Sequence, residues 1–323
     1  MTIDFVARRW VFYALSLLII LPGTLSLVLP GGVRPGIDFT SGTIMLLRFD
    51  RAVTQPELRD AFAEMGHAEA IVQASDAGTW IVRTLAFAQD ISESVATQSQ
   101  TERQVVEQGL RQRFAQVEIL GVDHVSPIIA SEIVQYAILA VIGACVGILL
   151  YLWWAFRRVP HPVRYGACAV AALVHDALLV LGVFSILGRF TSIELDAMFI
   201  TAVLTVIGFS VHDTIVVFDR IRENIVRHAG ESFGDVVNHS LTQTLARSLN
   251  TSITVLLTLV TLRLFGGVTI HNFVLALLVG IVSGTYSSIF NASLLLYSWE
   301  AGELKALWSR LTGGTPARAA GAA

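Results

Sequence analysis

The sequence predicts an α-helical polytopic membrane protein with six transmembrane helices and a small external α+β domain between the first two helices. Of the 323 residues, 54% are hydrophobic and 15% charged, and the mean hydropathy is +0.66. Six apolar runs have about the 20 residues that a membrane-crossing helix needs. One long polar stretch follows the first run. This composition excludes a disordered chain and argues against an ordinary soluble domain.

Each apolar run is interpreted as one membrane span. The six predicted spans are Trp10–Leu29, Val134–Trp154, Tyr165–Leu187, Ala197–Phe218, Ser248–Phe265 and Phe273–Trp299. The first run is longer than the core of a secretory signal peptide, which has about 7–15 residues, and no small-residue cleavage site follows it. We therefore expect it to be a retained anchor.

Basic residues in the short loops predict the orientation of the spans, because such loops stay in the cytoplasm. They precede span one, follow span six and join spans two to three and four to five: Arg8, Arg9, Arg157, Arg158, Arg164, Arg220, Arg222, Arg227, Arg247, Lys305 and Arg310. The other short loops offer only Arg189 and the neighbourhood of Arg263. We expect a multi-pass protein of the cytoplasmic (inner) membrane, with both termini cytoplasmic and the insert outside.

The polar insert shows the pattern of a ferredoxin-like βαββαβ domain. The predicted strands are Thr43–Phe49, Ala70–Ala74, Trp80–Leu85 and Val117–Val125, and the predicted helices are Pro56–Met65, which Thr54 would cap, and Glu93–Phe114. A turn around Asp76, Ala77 and Gly78 would join the middle strands. The predicted parts of the chain are residues 1–29 (N-terminus and helix one), 30–131 (external domain), 132–300 (helices two to six) and 301–323 (a flexible cytoplasmic tail).

Asp176, which follows His175, is predicted to lie deep in span three. Uncharged runs of 11 and 12 residues separate it from Arg164 and Arg189, and neither run is long enough to span alone. An ionisable residue inside a membrane is costly, so Asp176 is a candidate functional residue. The alternative, a protonated carboxyl that forms a hydrogen bond between helices, stays open.

Asp213, which follows His212, is predicted to lie inside span four, toward its cytoplasmic end. The 16 residues between Asp196 and Asp213 cover about 24 Å, which is less than the hydrocarbon thickness. Burial disfavours an ionised carboxyl and a nearby cation favours it. A carboxyl balanced between these effects can bind and release protons, so we interpret Asp213 as a proton site.

Arg247 begins span five and heads a stripe of hydroxyl groups. Only 15 residues, about 22 Å of helix, separate it from Arg263, so one arginine must enter the bilayer or reach its edge. Threonines follow at steps of four and three, on one helical face: Thr251, Thr254, Thr258 and Thr261. This arrangement suits a hydrated polar path. The alternative is ordinary packing, since threonine is common between membrane helices.

Glycine and serine at steps of four indicate close helix packing in spans two and six. These residues are Gly143 and Gly147, and Gly280, Gly284 and Ser288.

The sequence offers no pattern typical of an enzyme or a cofactor site. It contains no nucleotide-binding loop, zinc motif or nucleophile elbow. Cys145 and Cys168 both lie in apolar runs, which argues against a disulfide or metal role, and the net charge of -3 gives no reason to expect nucleic acid. We expect a protein that is not an enzyme, has no cofactor, and takes its energy from ions or from a partner.

Four segments resemble the SecD/SecF family of protein-export membrane subunits, which lies in the resistance-nodulation-division superfamily. They are Gly36–Thr43, Asp213–Asn224, Ser248–Ser252 and Gly284–Phe290. The sequence departs from the usual pattern at Ser41 (glycine), at His212 (asparagine), and at Arg263 and Asn291 (apolar residues). We expect a slightly altered strand entry at Ser41, and altered packing of span six at Asn291.

The resemblance implies a Sec translocase subunit with the partners SecD, the SecY channel complex and the translocating preprotein. It implies use of the proton-motive force late in export, with proton relay at Asp213 and Arg247. We add His212 and Asp176 as further relay candidates, and Thr251, Thr254 and Thr258 as the polar path. Two alternatives stay open: a proton-coupled exporter half for small or lipidic molecules, and a passive scaffold held together by its buried charges.

Overall fold

A computed structural model of the chain describes residues 4–74, 78–85, 102–114, 116–191, 193–267 and 270–306. These residues include six helices that are long and apolar enough to cross a membrane, and a four-stranded antiparallel sheet. The predicted fold class is confirmed. The described residues form two compact units: a sheet unit within Val33–Leu139 and Gly188–Ile200, and a helical unit within Met1–Gly32, Ala140–Leu187 and Thr201–Ala323.

The chain forms ten helices and four strands in its described part. Their order is α1 (Arg9–Val28), α2 (Ile37–Thr40), β1 (Gly42–Phe49), α3 (Gln55–Glu64), β2 (Ile71–Ala74), β3 (Thr79–Thr84), α4 (Glu102–Arg113), β4 (Val117–Val125), α5 (Pro127–Ala155), α6 (Pro162–Phe190), α7 (Ala197–Arg227), α8 (Phe233–Phe265), α9 (His271–Tyr286), a π-helical turn (Ser287–Ala292) and α10 (Ser293–Glu300). The sixth predicted span comprises α9, the π-helical turn and α10.

The sheet unit has the ferredoxin-like topology that the sequence predicts. The strand order is β2-β3-β1-β4, and every neighbouring pair is antiparallel. Alternate residues of the strands meet α3 and α4 in a core that includes Met45, Leu47, Phe62, Val82 and Leu110. Thr54 caps α3 by accepting a hydrogen bond from the backbone N–H of Glu57. The start of the predicted second helix, at residues 93–101, and most of the predicted turn at 76–78 lie outside the described residues, as does the tail beyond 306.

Two helices extend well beyond the spans that hydropathy predicts. The helix α7 continues to Arg227, and α8 begins at Phe233, 15 residues before the predicted start of span five. Their polar extensions contact each other, because the Asn224 amide donates to Ser240 Oγ (2.9 Å) and to Gln243 Oε1 (3.1 Å). A hydropathy window detects only the apolar part of such helices, so the predicted boundaries were too short.

Small residues bring the helices of the helical unit close together. A Cβ added at Gly280 would overlap Val206, and one added at Gly284 would lie 3.1 Å from Ser210 Cβ. The predicted packing of span six is therefore confirmed, with α7 as its neighbour. Around Gly143 and Gly147 no atom of the described chain lies near enough to meet an added Cβ, so their predicted packing role stays a prediction.

Candidate functional site

Asp213 lies on α7 with its side chain buried and incompletely bonded. The residue is 2% exposed. His212 Nδ1 lies 3.6 Å from Asp213 Oδ1, beyond hydrogen-bond distance. Within the described residues, Asp213 Oδ2 has no hydrogen-bond partner. A buried carboxylate oxygen without a partner is costly, which favours binding of a proton or approach of a cation at this group.

His212 points away from the interior of the helical unit. Its side chain is 68% exposed, whereas that of the adjacent Asp213 is 3% exposed. Successive side chains on a helix are about 100° apart, which explains how neighbours can differ so strongly in burial. The imidazole therefore lies at the outer edge of the carboxyl's surroundings.

Arg247 and the threonine stripe lie on an exposed face of α8. Each stripe hydroxyl donates to the carbonyl four residues earlier: Thr251 to Arg247 (3.0 Å), Thr254 to Asn250 (2.8 Å), and Thr258 to Thr254 (3.1 Å). Among the residues that the structure describes, no ion pair or hydrogen bond joins Arg247 to Asp213. The stripe therefore faces outward from this chain, and the hydrated path along it stays a prediction.

Asp176 has a very different environment from Asp213, because every acceptor position of its carboxylate has a donor. Ser283 Oγ (2.7 Å) and His175 Nδ1 (3.1 Å) contact Oδ1, and Ser210 Oγ and Ser287 Oγ (2.7 Å each) contact Oδ2. The residue is completely buried. A carboxylate has about four lone-pair sites, so this one is saturated as an acceptor.

The serines around Asp176 come from two other helices and continue into a hydroxyl cluster. Ser288 Oγ donates to the Ser210 carbonyl (2.8 Å), and Thr214 Oγ1 donates to Ser288 Oγ (3.0 Å). Asp176 thereby links α6, α7 and the sixth span. The geometry favours a packing role for this residue, and its part in a proton relay stays a prediction.

The π-helical turn of span six lies where these contacts form, and sequence reasoning missed it. Its Ser287 and Ser288 contact Asp176 and Ser210, and its Asn291 accepts a hydrogen bond from Ser16 of α1 (2.8 Å). Turns of this kind occur inside helices mainly at functional sites. The unusual Asn291 therefore has a structural explanation, since it pairs with a polar residue of α1. The only sequence signal was the motif Gly284–Phe290, which does not reveal its partners.

No metal site is formed by the described residues, because no three His, Cys, Asp or Glu side chains gather closely enough to hold an ion.

Fold and site together define a class of protein: a multi-pass helical membrane protein with a ferredoxin-like insert after its first span and a buried acid on its fourth. Residues 105–302 match the family model for the protein export membrane protein SecD/SecF, C-terminal, and residues 31–53 match the SecD/SecF GG motif. The chain belongs to the SecD/SecF family. The resemblance carried by the four sequence segments is confirmed.

Close relatives cover nearly the whole chain. The protein translocase subunit SecF of Thermobaculum terrenum is 52% identical over 299 residues, which is 92% of this chain and 94% of the relative. That of Anaerolinea thermophila is 38% identical over 321 residues, which is 98% of this chain and 100% of the relative.

Two solved structures are similar to this one. The crystal structure of SecDF from Thermus thermophilus, a translocon-associated membrane protein, has a TM-score of 0.78 and 31% identity over 93% of this chain. SecDF in its super-membrane-facing form has a TM-score of 0.64 and 30% identity over 96%. This chain spans 39% and 40% of the length of those two chains.

Proposed function

We propose that this chain is the SecF subunit of a Sec translocase accessory complex, and that it uses the proton-motive force to promote late steps of preprotein export. The relatives that cover nearly the whole chain are named as translocase subunits. The SecDF structures extend well beyond the part that this chain matches, which supports SecD as the partner. The SecY channel complex and the translocating preprotein are the further proposed partners. Both termini would lie in the cytoplasm.

The observation that carries the proton-coupled part of the proposal is the unsatisfied carboxyl of Asp213. Within the described residues, Oδ2 of this group has no hydrogen-bond partner. Its charge state must therefore respond to whatever approaches it: a proton, the guanidinium of Arg247, or a polar group of SecD. His212 lies beside the carboxyl and would transfer protons to it.

The proposed cycle converts this charge change into movement. Protonation of Asp213 would weaken its attraction to Arg247, the helices would repack, and the external domain would move. Moving one elementary charge through 100 mV is worth about 2.3 kcal/mol. That energy is enough to bias two conformations separated by a few kcal/mol. The outward-facing threonines Thr251, Thr254 and Thr258 would line the proton path against SecD helices.

The test is proton-gradient-dependent export in membrane vesicles that contain the assembled complex. Asp213→Asn and Arg247→Met should each abolish the stimulation of export by an imposed gradient. Asp219→Asn is the matched control, because Asp219 lies on the same helix and pairs with Arg222 at an exposed position. Full gradient-dependent export by both variants would refute the proposal. Loss of SecD from the purified complex would favour the scaffold alternative, and an independent homo-oligomer would favour the exporter alternative.

A further inference from the structure

The segment that precedes β1 is bonded to the loop that precedes α7. The backbone N–H of Leu195 donates to the Arg34 carbonyl (2.8 Å), and the N–H of Gly36 donates to the Leu195 carbonyl (2.6 Å). These two bonds form a parallel bridge between Pro35 and Leu195. The fit is tight, because a Cβ added at Gly36 would lie 2.8 Å from the Leu195 carbonyl oxygen.

Two carboxylates accept hydrogen bonds from backbone amides at the start of α7. Asp38 Oδ2 accepts a hydrogen bond from the Ala197 N–H, and Asp196 Oδ1 accepts one from the Phe199 N–H, both at 2.7 Å. The first four N–H groups of a helix have no partner within the helix, so such carboxylates stabilise its first turn. Asp196 belongs to the helix's own loop, whereas Asp38 belongs to the external domain.

An ion pair adds a third attachment, from the sheet. Arg83 on β3 lies 2.6 Å from Glu194, and the two side chains are only 17% and 16% exposed. Arg83 also donates to Gln73 of β2 (2.9 Å), which holds the guanidinium against the sheet. Three different kinds of contact therefore join the external domain to residues 194–197.

We propose that Asp38 and the Arg83–Glu194 pair are positioning residues that fix the first turn of α7 to the external domain. The first turn of α7 would then move with the external domain. The helix α7 is continuous from Ala197 to Arg227, and Asp213 lies 16 residues after Ala197, about 24 Å along it. The role in proton-coupled movement rests on the proposed function, whereas the attachment itself can be tested without it.

The first experiment measures the attachment directly, by hydrogen exchange of the backbone amides of residues 193–203 in the full-length protein in lipid nanodiscs. Asp38→Ala should speed exchange of the Ala197 amide about tenfold, the effect of losing a helix cap. Asp38→Asn, which keeps an acceptor oxygen, should remain near the wild-type rate. Arg48→Ala is the matched control, because it breaks an ion pair with Glu118 that is exposed on the same sheet. Unchanged exchange in Asp38→Ala would overturn the proposal, whatever the outcome for Asp213→Asn.

The second experiment tests whether the attachment stays closed during export. The two native cysteines are first replaced by alanine, and Pro35→Cys and Leu195→Cys are then introduced together. These cysteines should form a disulfide, because neighbouring strand segments lie about 4.7–4.9 Å apart and a disulfide needs Cα atoms about 4.4–6.8 Å apart. The oxidised protein should export as well as the reduced one. Adding Asp38→Ala should lower export several-fold under reducing conditions, and oxidation should restore it. Loss of export on oxidation, or no recovery in the Asp38→Ala background, would overturn the proposal.

Discussion

The four-donor site around Asp176 allows a sharp test of what this buried carboxylate does. Replacement by leucine removes the acceptor to which the buried hydroxyls of Ser210, Ser283 and Ser287 donate. Replacement by asparagine keeps the shape and one acceptor oxygen but cannot carry a proton. The two variants therefore separate hydrogen bonding from proton binding.

The magnitudes follow from the number of bonds. Side-chain hydrogen bonds between membrane helices contribute about 0.6 kcal/mol on average and up to about 1.7 kcal/mol. Loss of the three serine bonds in Asp176→Leu should therefore cost about 2–5 kcal/mol. In Asp176→Asn one oxygen still accepts two donors, and hydroxyls facing the new NH₂ group can turn and accept from it. We expect that variant to lose about 1–2 kcal/mol.

The assay is denaturant unfolding in micelles, combined with gradient-driven export normalised to the amount of folded protein. Ser287→Ala should lower the free energy of unfolding by about 0.6–1.7 kcal/mol. Ser293→Ala is the matched control, because Ser293 is as buried as Ser287 in the same span. Among the described residues, its hydroxyl donates one long hydrogen bond of 3.4 Å to the Ser288 carbonyl, so its removal should cost less. We expect normalised export by Asp176→Asn to stay near that of the wild type. If Asp176→Asn folds with wild-type stability and yet loses gradient-driven export, the packing role is refuted and the relay prediction is supported.

Three further predictions concern stability. Ser41 has φ 64° and ψ 163°, a conformation that only glycine adopts freely. Ser41→Gly should therefore stabilise the protein by about 1 kcal/mol in thermal unfolding. A neutral or destabilising result would contradict backbone strain at this residue. Gly280→Ala should lower the free energy of unfolding by about 1–3 kcal/mol, because the added methyl group overlaps Val206 of α7. Gly143→Ala should change it little, since no described atom lies near an added Cβ there. Equal effects of the two variants would contradict this difference in packing. Burial raises the pKa of Glu194, and Arg83→Met removes the cation that opposes this rise. In the folded variant, the pKa of Glu194 then lies further above its unfolded value. The ionised carboxylate is therefore less stable in the folded state, so the loss of stability should be smallest in acid and should grow as the pH rises through the folded pKa. Melting curves at about pH 5 and about pH 8 should show this trend, and Glu194→Gln in the same chain should remove it.

Much of the fold can be predicted from local sequence, because two physical lengths leave a pattern in the sequence. The thickness of the bilayer sets the length of an apolar run, and the two-residue repeat of a strand distinguishes the insert from the spans. Neither length reports on polar helix extensions, so the ends of α7 and α8 were missed. The unusual Ser41 was recognised by comparison with the family pattern, and it has a positive φ, which favours glycine. The altered strand entry stays a prediction.

The partners in the site could not be predicted, because they are distant in sequence and chemically ordinary. Asp176 is separated from Ser210, Ser283 and Ser287 by 34, 107 and 111 residues. Serines are common between membrane helices, so their spacing carries no signal that they meet an acid. Glu194 likewise lies in a short loop whose sequence gives no reason to expect a buried arginine from β3.

The two buried aspartates show what decides the role of such a group. Both follow a histidine, and both are almost inaccessible to solvent. Local sequence therefore does not distinguish which of the two aspartates binds protons. Their difference lies in the hydrogen bonds that distant helices supply: three for Asp176, and none within hydrogen-bond distance of Asp213 Oδ2 in the described chain. A proton on Asp176 must displace one of its contacts, and three of the four join different helices, whereas an unsatisfied carboxylate can change its charge before any helix moves. This difference in contacts supports the proposal that Asp213 responds first to a proton gradient and that Asp176 belongs to the framework against which the proposed movement occurs.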